Sequence, residues 1–448
     1  MKIHTIGGYN EVGKNMTVIE LKDDAFILDD GFFLPAIVEM QERDKILTEK
    51  GLRPTGALPD DTILDKLGVR EKVRVIIPSH AHLDHIGAIP YNSYKYKAPV
   101  LGTSYTIEVS KILMKDNDQT IPNEMIPLKP NGTIEIQGKK RKYKIELLNI
   151  THSTIQSSAV AIHTPEGIII YANDFKLDNT PIMGEKPNYK RFKELSKMGI
   201  KVLIMDCLYA PDDRKTPSEK IARGLLEDVL FTTDNRKSGM VITTFSSHIA
   251  RLKSITDYGK KLGRKIVFAG RSLNKYVSAA QNIGQAPFRK DVEILTYKKQ
   301  LEKGLKRINK DKKDYLLVCT GHQGEPGSIL DRLSRKKLPL EITKEDQIIF
   351  SSQTIPTPVT QENREQLGKR LKRTQVRIFD KVHVSGHGGK EDIRDLIKLT
   401  NPEHIIPSHG DLRKREAGAQ LAQEMGYKIN KTVHLLDNWK SVEIKWLW

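Results

Sequence analysis

The stretch Val73-Arg74-Val75-Ile76-Ile77-Pro78-Ser79-His80-Ala81-His82-Leu83-Asp84-His85 decides how this chain is read. Four of its first five residues are apolar and β-branched, with Arg74 the exception, which predicts a buried strand. Pro78 and Ser79 end the strand, and three imidazoles and one carboxylate follow within six residues. These are ligand types that suit Zn²⁺ or Mn²⁺. At the end of an extended strand, residues two apart project the same way, so His80 and His82 can grip one cation. The chain then turns into a helix-leaning segment, residues 86–94 (IGAIPYNSY). Asp84 and His85 sit at that turn, where they can hold a second cation.

One loop cannot fill two coordination spheres, so further ligands must come from elsewhere. The candidates also follow predicted strands: His152 after KIELLNIT, Asp174 after GIIIYAN, and His409 after HIIPS. An anionic carboxylate such as Asp174 can bridge two cations and screen their repulsion. Asp29, which ends AFILD, is better placed as an acceptor that fixes a ligand's ring from behind.

Outward from this cluster, the first 30 residues read as short strands and turns. The glycine turn GGYNEVG lacks the strand–loop–helix spacing and the Lys-Ser/Thr pair of a phosphate-binding loop. Residues 33–66 read as a polar, helix-leaning lobe inserted at the surface. Strands outnumber helices up to residue 207. After Asp206 the texture changes to strand–helix alternation, the signature of a parallel α/β unit, with residues 246–263 read as a helix of about five turns. Strand–His-loop texture returns at VHVSGHGG (382–389) and HIIPSHG (404–410). The simplest organisation is one domain split into residues 1–208 and 384–448 around an inserted α/β domain at 209–383.

The chain has 448 residues, with 74 Lys plus Arg against 56 Asp plus Glu, a net charge of +18. That surplus points to a polyanionic partner. Residues 298–313 alone hold eight basic and two acidic side chains, either a solvated helix face or a nucleic-acid-contacting rim. Two cysteines, Cys207 and Cys319, exclude a disulfide framework and a Cys-based zinc site. The N-terminus has no apolar core of a signal peptide, and no apolar run approaches the roughly 20 residues of a membrane span. A cytoplasmic chain with no membrane partner is the expectation.

The order Asp29, His80-x-His82-x-Asp84-His85, His152, Asp174 resembles the metallo-β-lactamase superfamily. The inserted domain and the later histidines resemble its β-CASP branch of nucleic-acid nucleases, and within it the match is similar to ribonuclease J. The stretches that carry the resemblance include GGYNEVGKNMTVIE, SHAHLDHIGAIPY, ITHSTIQSSAV, NDFK, TTFSSHIARL, GRSL, TGHQGEP, SSQTIP, VHVSGHGG and PSHGDLR, spanning residues 7–413. The resemblance implies an αββα sandwich with an inserted β-CASP α/β domain. It implies two divalent metal ions, one on His80, His82 and His152 and the other on Asp84, His85 and His409, with Asp174 between them. It makes Asp206 and His387 the first two motifs of the branch and assigns residues His383, Val384, Ser385, Gly386 and His387 to the RNA backbone and phosphate. Only 39 residues follow His409, where bacterial members carry a further domain. This is similar to the shorter archaeal type. Asn173 stands where ribonuclease J usually has Gly.

The expected activity is hydrolysis of RNA phosphodiesters, 5′-to-3′ and processive, on 5′-monophosphate single-stranded RNA. Asp84, Asp174 and His387 form the expected catalytic set, with zinc or manganese as the metal. Two cations about 3.5–4 Å apart can polarise the scissile phosphate and furnish its nucleophile. His387 is the candidate donor to the leaving 3′-oxygen. Ser385-Gly386, the Gly270-Arg271-Ser272 turn and Ser246-Ser247-His248 at a helix start are candidate anion sites for a terminal phosphate. Related members pair through their core domains, which implies a homodimer. The alternatives are an endonuclease resembling archaeal cleavage and polyadenylation factors, a small-molecule hydrolase and a non-catalytic RNA-binding scaffold.

Overall fold

The computed structural model describes residues 1–42, 47–355 and 357–445. Residues 43–46, part of the predicted 33–66 lobe, lie outside the described residues. The chain divides into two units. The first comprises residues 1–179, 184–216 and 386–448, and the second comprises 180–183 and 217–385.

In the first unit two sheets face each other. One has seven strands in the order Lys440–Glu443, Lys2–Gly7, Met16–Glu20, Ala25–Leu28, Val73–Ile77, Val100–Thr103, Met125–Leu128. The other has six, in the order His404–Ser408, Ile200–Asp206, Gly167–Ala172, Ser158–Thr164, Lys142–Asn149, Thr133–Gln137. Strand parity sorts the side chains. Ile169 and Tyr171 join Phe26, Val75 and Ile77 between the sheets. Their neighbours Ile168 and Ile170 face the other way, into a second core with Phe192, Leu396 and Ala419. Those three come from the helices Tyr189–Met198, Lys390–Thr400 and Leu412–Glu424. A strand buried on both faces needs apolar residues at every position, which is why GIIIYA reads as a continuous run.

The predicted surface lobe differs from its reading. Phe32, Ile37, Met40, Leu52 and Leu58 are buried and form a small core with Ala88 and Tyr91. Charged and proline residues between these positions mask their apolar spacing. The lobe therefore packs directly behind the His80–His85 segment. That segment also differs: Leu83–Ile86 and Ile89–Asn92 are two single-turn helices, and Asp84 and His85 lie inside the first rather than before it.

The second unit is built on a six-stranded sheet, all parallel, in the order Val292–Leu295, Lys265–Ala269, Tyr315–Cys319, Met240–Thr243, Gln347–Phe350, Arg377–Phe379. Its helices pack around a separate core that includes Val267, Leu317, Ile348 and Leu367. The helix read over 246–263 starts only at Ile249 and ends at Lys261, because the His248 side chain caps it by accepting from Arg251 N. Residues 382–388 form no strand. Their backbone bonds go to unrelated elements, Val382 N to Phe350 O in the second unit and Gly388 N to Phe175 O in the first, so no ladder can form.

Candidate metal centre

Asp29, His80, His152, Asp174, Asp206 and His409 all lie at or just past the carboxyl ends of strands in the first unit. The strands Ala25–Leu28 and Val73–Ile77 run parallel, and so do Gly167–Ala172, Ile200–Asp206 and His404–Ser408. The ends of each set therefore open on one edge, where α/β sheets commonly bind ligands. Three of these residues take the left-handed conformation: Asp29 at φ 60°, Asp174 at 57° and His409 at 57°. Each costs of order 1 kcal/mol for a side-chain-bearing residue. The turn re-aims a side chain that would otherwise continue the strand's alternation.

Two groups of donor atoms converge, each spanning less than 4.8 Å: His80, His82, His152 and Asp174, and Asp84, His85, Asp174 and His409. Asp174 is common to both and to a third group with Asp206 and His387. Its Oδ2 lies 3.3 Å from His85 Nε2, 3.6 Å from both His80 Nε2 and His152 Nε2, and 3.7 Å from His387 Nε2. His409 Nδ1 is 3.4 Å from Asp174 Oδ1.

The rings are held from behind. His85 Nδ1 donates to Asp29 Oδ2 at 2.7 Å, His387 Nδ1 to Asp206 Oδ2 at 2.7 Å, and His152 Nδ1 to Gly386 O at 2.7 Å. Ser79 Oγ donates its single proton to Asp29 Oδ2 and so accepts from His80 Nδ1 at 3.0 Å. With Nδ1 carrying hydrogen in these four rings, each can present a bare Nε2 to the cluster. Gly386 must stay small, because a Cβ there would stand 2.8 Å from Ser153 Cβ.

Electrostatics divide the cluster. Burial pushes His80 and His152 well below the ordinary imidazole value and His82 to about 4, leaving neutral rings, the form that ligates. Burial acts the same way on His85, but the Asp174, Asp29 and Asp84 carboxylates outweigh it and hold that ring well above its usual value. Burial is likewise overcome at His387, which Asp174 and Asp206 push up to about 9. Burial would raise Asp174, yet His409, His85 and His387 keep it well below the usual carboxylate range. Its Oδ1 is buried without a hydrogen-bond partner. A buried carboxylate with one oxygen 3.3–3.7 Å from four imidazole nitrogens and the other without a hydrogen bond is an arrangement that divalent cations satisfy better than hydrogen bonds do. The donor set fits them.

Similar proteins match nearly the whole chain. A ribonuclease J from Methanocaldococcus jannaschii is 42% identical over 98% of this chain and 97% of its own length. One from Pyrococcus abyssi is 41% identical over 99% and 97%. The chain belongs to the ribonuclease J family. Three family models divide it: the metallo-beta-lactamase superfamily at residues 9–234, the beta-CASP domain of ribonuclease J at 237–365, and the Zn-dependent metallo-hydrolase RNA specificity domain at 373–434. The chain thus has a metallo-β-lactamase fold with an inserted β-CASP domain. A ribonuclease J from Synechocystis is 29% identical over 99% of this chain and 66% of its own. Among solved structures, a protein of unknown function from Enterococcus faecalis shares the fold at TM-score 0.61 and 18% identity, covering 98% of this chain and 99% of that one.

The candidate RNA- and phosphate-contacting residues fall mostly in the second unit, which holds His383, Val384, Ser385, Ser246, Ser247, His248 and Arg271, whereas Gly386 and His387 belong to the first. Two of the candidate anion turns meet there. Ser246 Oγ lies 3.1 Å from Ser272 Oγ, and Gly270, at φ 135°, begins the helix Arg271–Asn282. Beneath them, fully buried Arg251 forks onto Glu219 at 2.6 and 2.8 Å and reaches His383 Nδ1 at 3.3 Å.

Sequence reading passed over Asn15 and Tyr171 and noted Asn173 only as a departure from Gly, without its bonding role. Asn15 Nδ2 donates to Asp84 O at 3.0 Å, and its Oδ1 faces His409 Nδ1 at 3.0 Å. Asn173 Nδ2 donates to Asn15 Oδ1 at 3.1 Å and to the Tyr171 hydroxyl at 3.0 Å, and its Oδ1 accepts from Ser408 Oγ at 3.1 Å. The Tyr171 hydroxyl in turn donates to Asp29 Oδ2 at 2.7 Å. A Gly at 173 would remove the middle of that network. The one available signal was polarity next to a ligand candidate.

Proposed function

We propose that this chain is a metal-dependent ribonuclease working 5′ to 3′ on single-stranded RNA with a 5′-monophosphate. The observation that carries the reading is the gathering of His80, His82, Asp84, His85, His152 and His409 around Asp174, whose buried Oδ1 makes no hydrogen bond. Family membership and the RNA specificity match support RNA as the substrate. His80, His82 and His152 would hold one cation, Asp84, His85 and His409 another, and Asp174 would bridge them, with zinc or manganese as the metal. When bound, such ions supply Lewis acidity to the phosphodiester and a water acidic enough to attack near neutral pH. Asp29, Ser79 and Gly386 O hold His85, His80 and His152 in orientation. Among the described residues no helix is long and apolar enough to cross a membrane. A cytoplasmic location and pairing as a homodimer complete the proposal, the latter on family resemblance alone.

His387 serves the leaving 3′-oxygen in this reading. Asp206 anchors its Nδ1, and its Nε2 points toward Asp174. Replacing His387 with Ala should lower kcat by about 10²–10⁴ with little change in KM, the usual range for a lost proton donor. A higher KM at unchanged kcat would move the residue from chemistry to binding.

Direction is tested by a time course on end-labelled RNA with different 5′ groups. Mononucleotides should appear from a 5′-monophosphate substrate, and a 5′-triphosphate should slow their release at least about 10-fold, the scale of losing a charge-matched phosphate pocket. Internal fragments, or equal rates for both ends, would defeat the exonuclease reading.

A further inference from the structure

The helix Lys298–Lys310 of the second unit carries a charge pattern that its own stability does not explain. Leu301, Leu305 and Ile308 are buried, and Gly304 brings the helix onto the edge strand so closely that a Cβ would stand 2.4 Å from Leu295 Cδ1. On the opposite face Lys299, Lys303, Lys306 and Lys310 are exposed. Their spacing of four, three and four residues makes one continuous stripe, about 16 Å long at 1.5 Å per residue. None of these four lysines is in an ion pair among the described residues. Like charges at such spacings repel, and Lys298 and Lys299 sit in the first turn, where the helix dipole disfavours cations. Glu302, half-buried beside the stripe, is the one acid within Lys298–Lys310, whereas a face selected only for solubility would mix signs evenly.

Two neighbouring features share the chemistry of a nucleic-acid strand. Tyr297, directly before the helix, is 75% exposed, more than any other large apolar or aromatic residue of the described chain. At the other end a cavity of about 440 Å³ is lined by Lys306, Lys310, Lys336, Leu338, Pro339 and Glu341. It pairs cations with an apolar floor, and Glu341 is its single acid.

We propose that this helix face is an accessory docking surface for single-stranded RNA, with the lysine stripe on consecutive phosphates and Tyr297 stacking on a base. The proposal rests on the ribonuclease reading for its choice of polyanion. Cation stripes with interleaved aromatics bind single strands without sequence preference, and their affinity falls steeply with salt.

The test uses the full chain with Lys299, Lys303, Lys306 and Lys310 all changed to Gln, beside the same four changed to Arg. Affinity for a 30-nucleotide single-stranded RNA should fall about 30-fold in the Gln variant, and the slope of log K against log salt should become shallower by about 3, from four lost phosphate contacts. The Arg variant should keep both, and a dinucleotide should be cleaved at the parental rate by either. Tyr297→Ala should weaken the 30-mer about 5- to 10-fold with the slope unchanged, as for one lost stack. Unchanged affinity and slope in the Gln variant overturn the proposal, whether or not the parent chain sediments with phosphatidylserine vesicles. Equal loss in the Arg and Gln variants also overturns it, since charge would then not be the cause. A chain that cleaves nothing yet loses the 30-mer in the Gln variant leaves the surface standing and removes the ribonuclease reading.

Discussion

Asp174→Asn is expected to leave a folded chain whose phosphodiester hydrolysis is at least about 10³-fold below the parent, the scale of several kcal/mol of lost metal-ion catalysis. The substitution is chosen for its backbone. Position 174 sits at φ 57°, which Asn tolerates better than Ala, so lost activity would not be a consequence of strain. What changes is charge. Asp174 Oδ2 is the common neighbour of His80, His85, His152 and His387, and Oδ1 faces His409. An amide can offer one weak acceptor but cannot neutralise two cations. Binding of long RNA should largely survive. Kinetics and RNA affinity measured on the same preparation separate these effects, and near-parental turnover would refute the central role of Asp174.

The second large effect concerns stability. Arg251 is fully buried, and its partner Glu219 is almost so. Glu219→Ala leaves the guanidinium without its carboxylate and should destabilise the second unit by about 3–5 kcal/mol. For a unit of this size that lowers its melting temperature by roughly 10 °C. Replacing both partners together, Glu219→Leu with Arg251→Met, should recover much of the loss, because the charge left alone is the main cost. The pair also sets a pH dependence. Burial would raise the Glu219 carboxyl, but Arg251 and His248 hold it well below its usual 4.5. A carboxylate depressed in the folded state contributes its full stability above the unfolded value and loses it as the pH falls toward the folded one. The parent's melting temperature should therefore fall more steeply below about pH 4.5 than that of Glu219→Ala. Parallel curves would show that the pair is not responsible.

The gathering of donors was legible because its residues are chemically loud. His80–His85 packs four candidate ligands of two types into six residues, and His152, Asp174 and His409 each follow a run that reads as a strand. The residues that orient them are quiet. Asn15 stands between a glycine turn and the strand Met16–Glu20, where Asn is ordinary, and Tyr171 closes a run of isoleucines that reads as core. Their roles arise from pairings distant in sequence, such as Asn15 with Asp84, 69 residues away, and with His409, 394 away, which no local pattern encodes. The left-handed turns at Asp29, Asp174 and His409 were equally silent, because Asp and His occupy such conformations only when the surroundings demand it. The misread elements share a cause. VHVSGHGG alternates like a strand, but its backbone bonds are divided between Phe350 and Phe175, so no ladder forms along it among the described residues. The 33–66 lobe hides Ile37, Met40 and Leu52 among charges and prolines, so its apolar spacing shows only after folding.

The most direct measurement is anomalous diffraction from crystals of the metal-loaded chain at the zinc and manganese edges. Two peaks are predicted, one about 2.0–2.2 Å from donor nitrogens of His80, His82 and His152, and the other as close to donor atoms of Asp84, His85 and His409, with Asp174 reaching both. Absence of both peaks from a preparation that still degrades RNA in excess chelator would contradict the account.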